Sequence, residues 1–125
     1  MSTDCIFCNP PDDRIFLRNE HAYALWDGFP VTEMHSLIIP LRHIDNYFEL
    51  TQQELLACDD LLHRAKELAD ANDPRIEGFN IGTNIGAAAG QTVFHCHIHL
   101  IPRRPGDVAD PRGGVRHVIP GKGLY

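Results

Sequence analysis

Apolar positions recur at two spacings along this chain, and the change of spacing separates short strands from one long helix. Arg14–Arg18 and His21–Trp26 alternate or run apolar over four to six residues, with Asn19-Glu20 between them as a hairpin turn. His35–Pro40 is a third such run, ended by Pro40. Gly78–Thr83 and Phe94–Ile101 supply the fourth and fifth. Over residues 52–71 the period changes: Leu55, Cys58, Leu62, Ala65 and Ala69 recur at three- and four-residue steps, which predicts a helix. Thr51-Gln52-Gln53-Glu54 reads as its capping box, and Asn72-Asp73-Pro74 as its stop. Strands gathered around one helix by hairpin connections predict an α+β fold with an antiparallel sheet.

A length of 125 residues suits one domain with its own core, here 1–125 with 105–125 as a C-terminal tail. Eleven basic residues against seventeen acidic leave a net charge of −6, which argues against nucleic acid or an anionic membrane as partner. The charge is uneven. Residues 101–125 carry five basic residues against Asp107 and Asp110 (+3), so the first hundred hold six against fifteen (−9). A basic tail suits an anionic small substrate, and it equally suits a solvated tail. Met1-Ser2-Thr3-Asp4 has neither a basic start nor an apolar stretch, and no run approaches membrane length, so the cytoplasm is the expected location. Cys5, Cys8, Cys58 and Cys96 do not form the framework of a disulfide-stapled domain.

The densest chemistry lies in His95-Cys96-His97-Ile98-His99. On a strand these three imidazoles share one face, about 7 Å apart, with Cys96, Ile98 and Leu100 on the other. Burying three imidazoles is costly unless their ring nitrogens find partners, so the row predicts a metal site or a machine for moving protons and phosphoryl groups. Just before it, Asn84-Ile85-Gly86-Ala87-Ala88-Ala89-Gly90-Gln91-Thr92 is rich in glycine and offers backbone amides to phosphate oxygens. It lacks the ending of a P-loop. Gln91 and Thr92 would bring donors beside the row.

His95-Cys96-His97-Ile98-His99-Leu100-Ile101, preceded by Gly90-Gln91-Thr92-Val93-Phe94 and followed by Pro102-Arg103, resembles the signature of the histidine triad (HIT) family of nucleotide hydrolases and transferases. His35-Ser36-Leu37-Ile38-Ile39-Pro40 with Arg42-His43-Ile44 resembles a second block of that family, and the likeness runs from Cys5 to about Arg104. The resemblance implies a five-stranded antiparallel sheet with one long and one short helix, and commonly a homodimer. It implies that His97 attacks the α-phosphate of a purine nucleoside 5′-phosphoryl compound to form a nucleotidyl-histidine. His99 would then donate to phosphate or leaving group, and His35 would orient the row. Asn84, Gln91, Thr92 and His99 would bind phosphoryl oxygens, Asp27 the ribose, and Leu25 and Phe7 the base. Each has a plainer reading: Asp27 as turn former in Trp26-Asp27-Gly28, Leu25 and Phe7 as core, Asn84 and Gln91 as loop amides. The leaving group, an amine or a polyphosphate, would be read by the tail Arg112–His117, whose basic residues favour polyphosphate.

Cys5-Ile6-Phe7-Cys8 is a second constellation, since two thiolates at this spacing chelate one soft metal. The resemblance implies that His43 and His95 complete a closed, structural zinc site. Free or redox-active thiols are the alternative. Two other functions stay open: a hydrolase whose zinc is held by His95, His97 and His99, and a nucleotide-binding module without turnover. His21, His63 and His117 carry no such context.

Overall fold

The computed structural model describes residues 4–125; the first three residues, on which the expectation about the N-terminus partly rests, lie outside it. Five strands form one antiparallel sheet: β1 (Ile15–Arg18), β2 (Ala22–Trp26), β3 (Ser36–Pro40), β4 (Gly78–Gly82) and β5 (Ile98–Arg103), in the order β1-β2-β3-β5-β4. Among the described residues the α-helix is α1 (Gln52–Asn72), and the shorter helical segments are 3₁₀ turns, the longest at Gly114–Val118. Among the described residues no helix is long and apolar enough to cross a membrane.

The capping box forms as predicted. Thr51 Oγ accepts from the Glu54 amide at 3.1 Å, and Glu54 Oε1 accepts from the Thr51 amide at 2.8 Å. The buried face of α1 is Glu54, Cys58, Leu61, Ala65 and Ala69. This corrects the predicted face at two positions: Leu55 is exposed, and Leu62 packs only at the margin of the core. Arg42 explains the rotation, because its guanidinium grips both Glu54 oxygens, at 2.8 and 2.9 Å, and turns Glu54 inward. Leu55, one residue and 100° further round, then faces water. The helix settles on small residues of the sheet, with Ala22, Ala24, Ile38, Ile98 and Leu100 in the core beneath it.

The opposite sheet face is covered by the N-terminal segment, where Phe7 packs with Tyr23, Leu25, Leu37 and Ile39. The Tyr23 hydroxyl donates to the Phe7 carbonyl at 2.7 Å and pins that segment down.

β5 begins at Ile98, later than the predicted Phe94, and runs on to Arg103. Its pairing with β3 covers only Ile98–Leu100. Continuing that register would set Cys96 opposite Pro40, which has no N–H to give. The chain leaves the ladder there, and the Cys96 amide donates to the Ile44 carbonyl at 2.7 Å. His95 and His97 therefore stand just outside the strand, and only His99 lies on it.

Candidate active site and metal centre

Sheet register brings the first groups together. Trp26 pairs with Ser36, so the Asp27 amide donates to the His35 carbonyl at 3.0 Å. Leu37 pairs with His99, which puts His35, two residues back on the same face, beside it. His35 Nε2 lies 2.9 Å from His99 Nδ1 and 3.3 Å from an Asp27 carboxylate oxygen. The His97 and His99 ring centres are 5.3 Å apart, closer than the 7 Å of a regular strand row. His97 also packs on Phe7 at 4.9 Å.

Backbone partners decide which ring nitrogen carries each proton. The Val31 amide donates to His35 Nδ1 at 3.1 Å, so neutral His35 holds its hydrogen on Nε2. That hydrogen points at His99 Nδ1, so neutral His99 holds its own on Nε2. His97 takes the opposite form: its Nδ1 donates to the His95 carbonyl at 2.8 Å, leaving the Nε2 lone pair bare. Burial keeps the pair neutral near pH 7. It lowers His35, against the opposing pull of Asp27, and with help from the neighbouring His97 and His35 it pushes His99 down to about 4. Adjacent rings thus present a lone pair and a proton.

His95 faces elsewhere. It is fully buried, and its Nε2 donates to the Pro40 carbonyl at 2.8 Å, which turns the Nδ1 lone pair outward. That atom lies 3.4 Å from Cys5 Sγ and 3.5 Å from Cys8 Sγ, while His43 Nδ1 lies 3.1 Å from Cys8 Sγ. A tetrahedral zinc with ordinary bond lengths sets its sulfur and nitrogen ligands about 3.5 Å apart. The four ligand atoms lie within 4.8 Å of one another, so donor set and spacing both fit a closed zinc site.

The row itself does not converge on an ion. His97 belongs to neither group of described residues that could share one. The second group, Asp27, His35 and His99, would need a lone pair on His35 Nε2, where the Val31 amide requires a hydrogen.

Other predicted residues are placed as follows. Asp27 closes the turn, one oxygen accepting from the Phe29 amide at 2.7 Å, and its other oxygen faces His35. Leu25 is 1% exposed and Phe7 7%, so Leu25 is a core residue and Phe7 a floor beneath His97. Gln91 is buried with its amide engaged inside the loop: it accepts from Gly86 and donates to the Asp45 and Val93 carbonyls. It braces the loop and offers no free donor to the row. Asn84 and Thr92 are exposed.

Two arginines of the tail have their partners within the tail. Arg112 pairs with Asp110 at 2.9 Å, and Arg116 stacks on Tyr125. The tail instead roofs a cleft of about 750 Å³ over β4 and β5, with His35, His99, Asn84 and His117 among its walls. Val31, whose amide orients His35, and Thr83, whose hydroxyl donates to the His97 carbonyl at 2.7 Å, carried no signal in the sequence. A main-chain donor leaves no trace in residue type, and a lone threonine is commonplace.

Comparison with known proteins agrees with this geometry. A sequence model described as HIT domain matches residues 10–106. An uncharacterized 16.1 kDa HIT-like protein of Mycoplasma pneumoniae is 41% identical over 108 residues, 82% of this chain and 73% of that protein. The adenylylsulfatase HINT3 of Arabidopsis thaliana is 34% identical over 115 residues, 86% of this chain and 56% of that protein. The crystal structure of a zinc-bound histidine triad family protein from Mycobacterium smegmatis superimposes with a TM-score of 0.75 at 30% identity, covering 86% of this chain and 80% of that one.

Proposed function

We propose, from the premise that the chain belongs to the HIT family, that it hydrolyses purine nucleoside 5′-phosphoryl compounds at the α-phosphate through a nucleotidyl-histidine on His97. The observation that carries this reading is the pair of opposite tautomers, with the His97 Nε2 lone pair beside the His99 Nε2 hydrogen. His97 Nε2 forms a bond to the α-phosphorus, and the bond to the leaving group breaks with its electron pair. The His99 Nε2–H donates a hydrogen bond to the departing atom, which takes its proton from water. Water then attacks the same phosphorus, the electron pair returns to His97 Nε2, and the proton of the attacking water passes to solvent. Splitting one displacement into two lowers the harder barrier. His35 orients His99 through their 2.9 Å bond. Asp27 offers its second oxygen to the ribose hydroxyls, and Asn84 and Thr92 lie free for phosphoryl oxygens. The adenylylsulfatase named above acts, by its name, on an adenylyl compound, which is the class proposed here.

Cys5, Cys8, His43 and His95 would hold zinc. The ion is structural: it would tie the N-terminal segment to the stretch that carries the nucleophile. We further propose a cytoplasmic homodimer whose single domain spans the chain.

Acid-quenched mass spectrometry after brief mixing with adenosine 5′-phosphoramidate tests the reading. An added AMP mass in the wild type, absent in His97→Ala, is expected. Product without an adduct, abolished by a chelator, would favour metal-activated water instead.

A further inference from the structure

The loop from Asp27 to His35 carries both the carboxylate and the ring that face His99, and its last turn is unusual. Thr32-Glu33-Met34-His35 closes as a β-turn, the His35 amide donating to the Thr32 carbonyl at 3.2 Å. Met34, at the third position, has φ of 70° and is the one non-glycine with positive φ among the described residues. Glu33 before it is therefore negative, which makes the turn type II, a form that favours glycine where Met34 stands. A type I turn would close the same bond with Met34 at negative φ. The two types differ by a half-rotation of the Glu33–Met34 peptide, and so by where the Glu33 carbonyl points.

That carbonyl has a charged partner. Arg104 Nη2 donates to it at 3.1 Å, and Arg104 Nε donates to an Asp73 carboxylate oxygen at 2.9 Å. Both side chains are shielded from water, Arg104 at 12% exposed and Asp73 at 8%. Asp73 is the cap that ends α1. Arg75 grips the same carboxylate at 2.8 and 2.9 Å, so the anchor is fixed on the helix side. A cationic donor held in this way outweighs the left-handed cost of one residue. Directly before the turn stands Val31, whose amide donates to His35 Nδ1. Turn type sets the path from that amide to the His35 ring, and with it whether the two meet.

Resting on the reading that the His99 Nε2–H serves the departing atom, we infer that Arg104 is a positioning residue. Anchored by Asp73, it selects the type II turn that keeps the Val31 amide on His35 Nδ1, and so fixes the His35 ring against His99. The route runs through the main chain, from the end of α1 to the row of imidazoles. An amide bonded to the bare nitrogen favours the neutral ring. It therefore opposes Asp27, the carboxylate facing His35, while His99 accepts from the other nitrogen.

Arg104→Ala releases the Glu33–Met34 peptide and tests the route. By imidazole NMR its His35 should titrate at higher pH than in the wild type, because Nδ1 is then free to take a proton beside Asp27. With adenosine 5′-phosphoramidate, kcat should fall about tenfold while KM stays within about twofold. Arg104→Lys keeps a cation for Asp73 but lacks the fork that reaches both partners. It should move both readings the same way, and it stands in if the alanine variant folds poorly. Met34→Gly identifies the turn as the link, since glycine takes the left-handed φ without cost. Added to Arg104→Ala it should restore the His35 titration and kcat; alone it should leave both as in the wild type. Unchanged titration and kcat in the Arg104 variants, or losses that Met34→Gly does not restore, overturn the inference. A wild type that forms no nucleotidyl adduct overturns the His97 reading instead, and the titrations still decide the role of Arg104.

Discussion

Replacing Glu54 by Gln tests how the fold holds the turn that carries His43. Arg42 meets both Glu54 oxygens at 2.8 and 2.9 Å and also reaches the Glu49 carbonyl at 3.0 Å, so the segment after β3 is clipped to the first turn of α1. The Arg42 bond is the leading cause that holds the Glu54 carboxyl at about 2 against an ordinary 4.5. At 1.36 kcal/mol per pH unit this caps the contribution at about 3.4 kcal/mol. Half of the Arg42 side chain is open to water, and screening there reduces the figure to about 1.5–2 kcal/mol. Gln keeps the carbonyl that accepts from Thr51, so the loss isolates the charge. A depressed carboxyl contributes fully above its unfolded value and loses that contribution as pH falls through the folded one, because the unfolded chain binds the proton first. Urea titrations should show a lower midpoint for Glu54→Gln at pH 7 with an unchanged slope. At pH 3.5, one unit below the unfolded value, about 60–70% of this screened difference should be gone. Equal stabilities at pH 7, or a gap undiminished at pH 3.5, would refute the reasoning.

Three further outcomes are expected. Imidazole NMR should find His99 titrating near 4 and His35 below 6.5; both are buried neutral, so the stability they carry is complete above about pH 6.5 and drains as pH falls toward 4, and a normal His99 titration would remove the desolvated tautomer chain. Cys8→Ser should lower bound zinc from about one per chain to near none by elemental analysis, since it removes the ligand bonded to both His43 and His95; full retention would mean the metal sits elsewhere. Met34 has φ of 70°, the one positive value outside glycine among the described residues. Met34→Gly should therefore raise stability by about 0.5–1 kcal/mol in thermal melts, and a loss would show that its side chain matters more than its backbone.

Local chemistry was legible in the sequence. Thr51 and Glu54 are three residues apart, and a capping box needs nothing beyond that distance. The alternation through His99, Leu100 and Ile101 survives as alternate burial along β5. The Cys-x-x-Cys pair and the two histidines of the implied zinc site meet at ligand distance, although the fold brings them together from 35 to 90 residues apart. Where sequence reasoning missed, the deciding partner was remote. Leu55 has every local reason to be buried, and Arg42 turned it out by drawing Glu54 in. The strand could not reach Phe94, because the residue opposite Cys96 is a proline on another strand.

The sequence by itself determined that imidazoles, thiols and a fourth histidine would gather on an antiparallel sheet. Only the tertiary structure decided what each imidazole does. His95 faces the thiols through the Pro40 carbonyl, fifty-five residues away. His99 carries its hydrogen outward because His35, sixty-four residues away, donates to its other nitrogen. A neutral imidazole has two nitrogens and one proton, and its own residue type does not choose between them; the choice belongs to whichever donor or acceptor the fold sets against it.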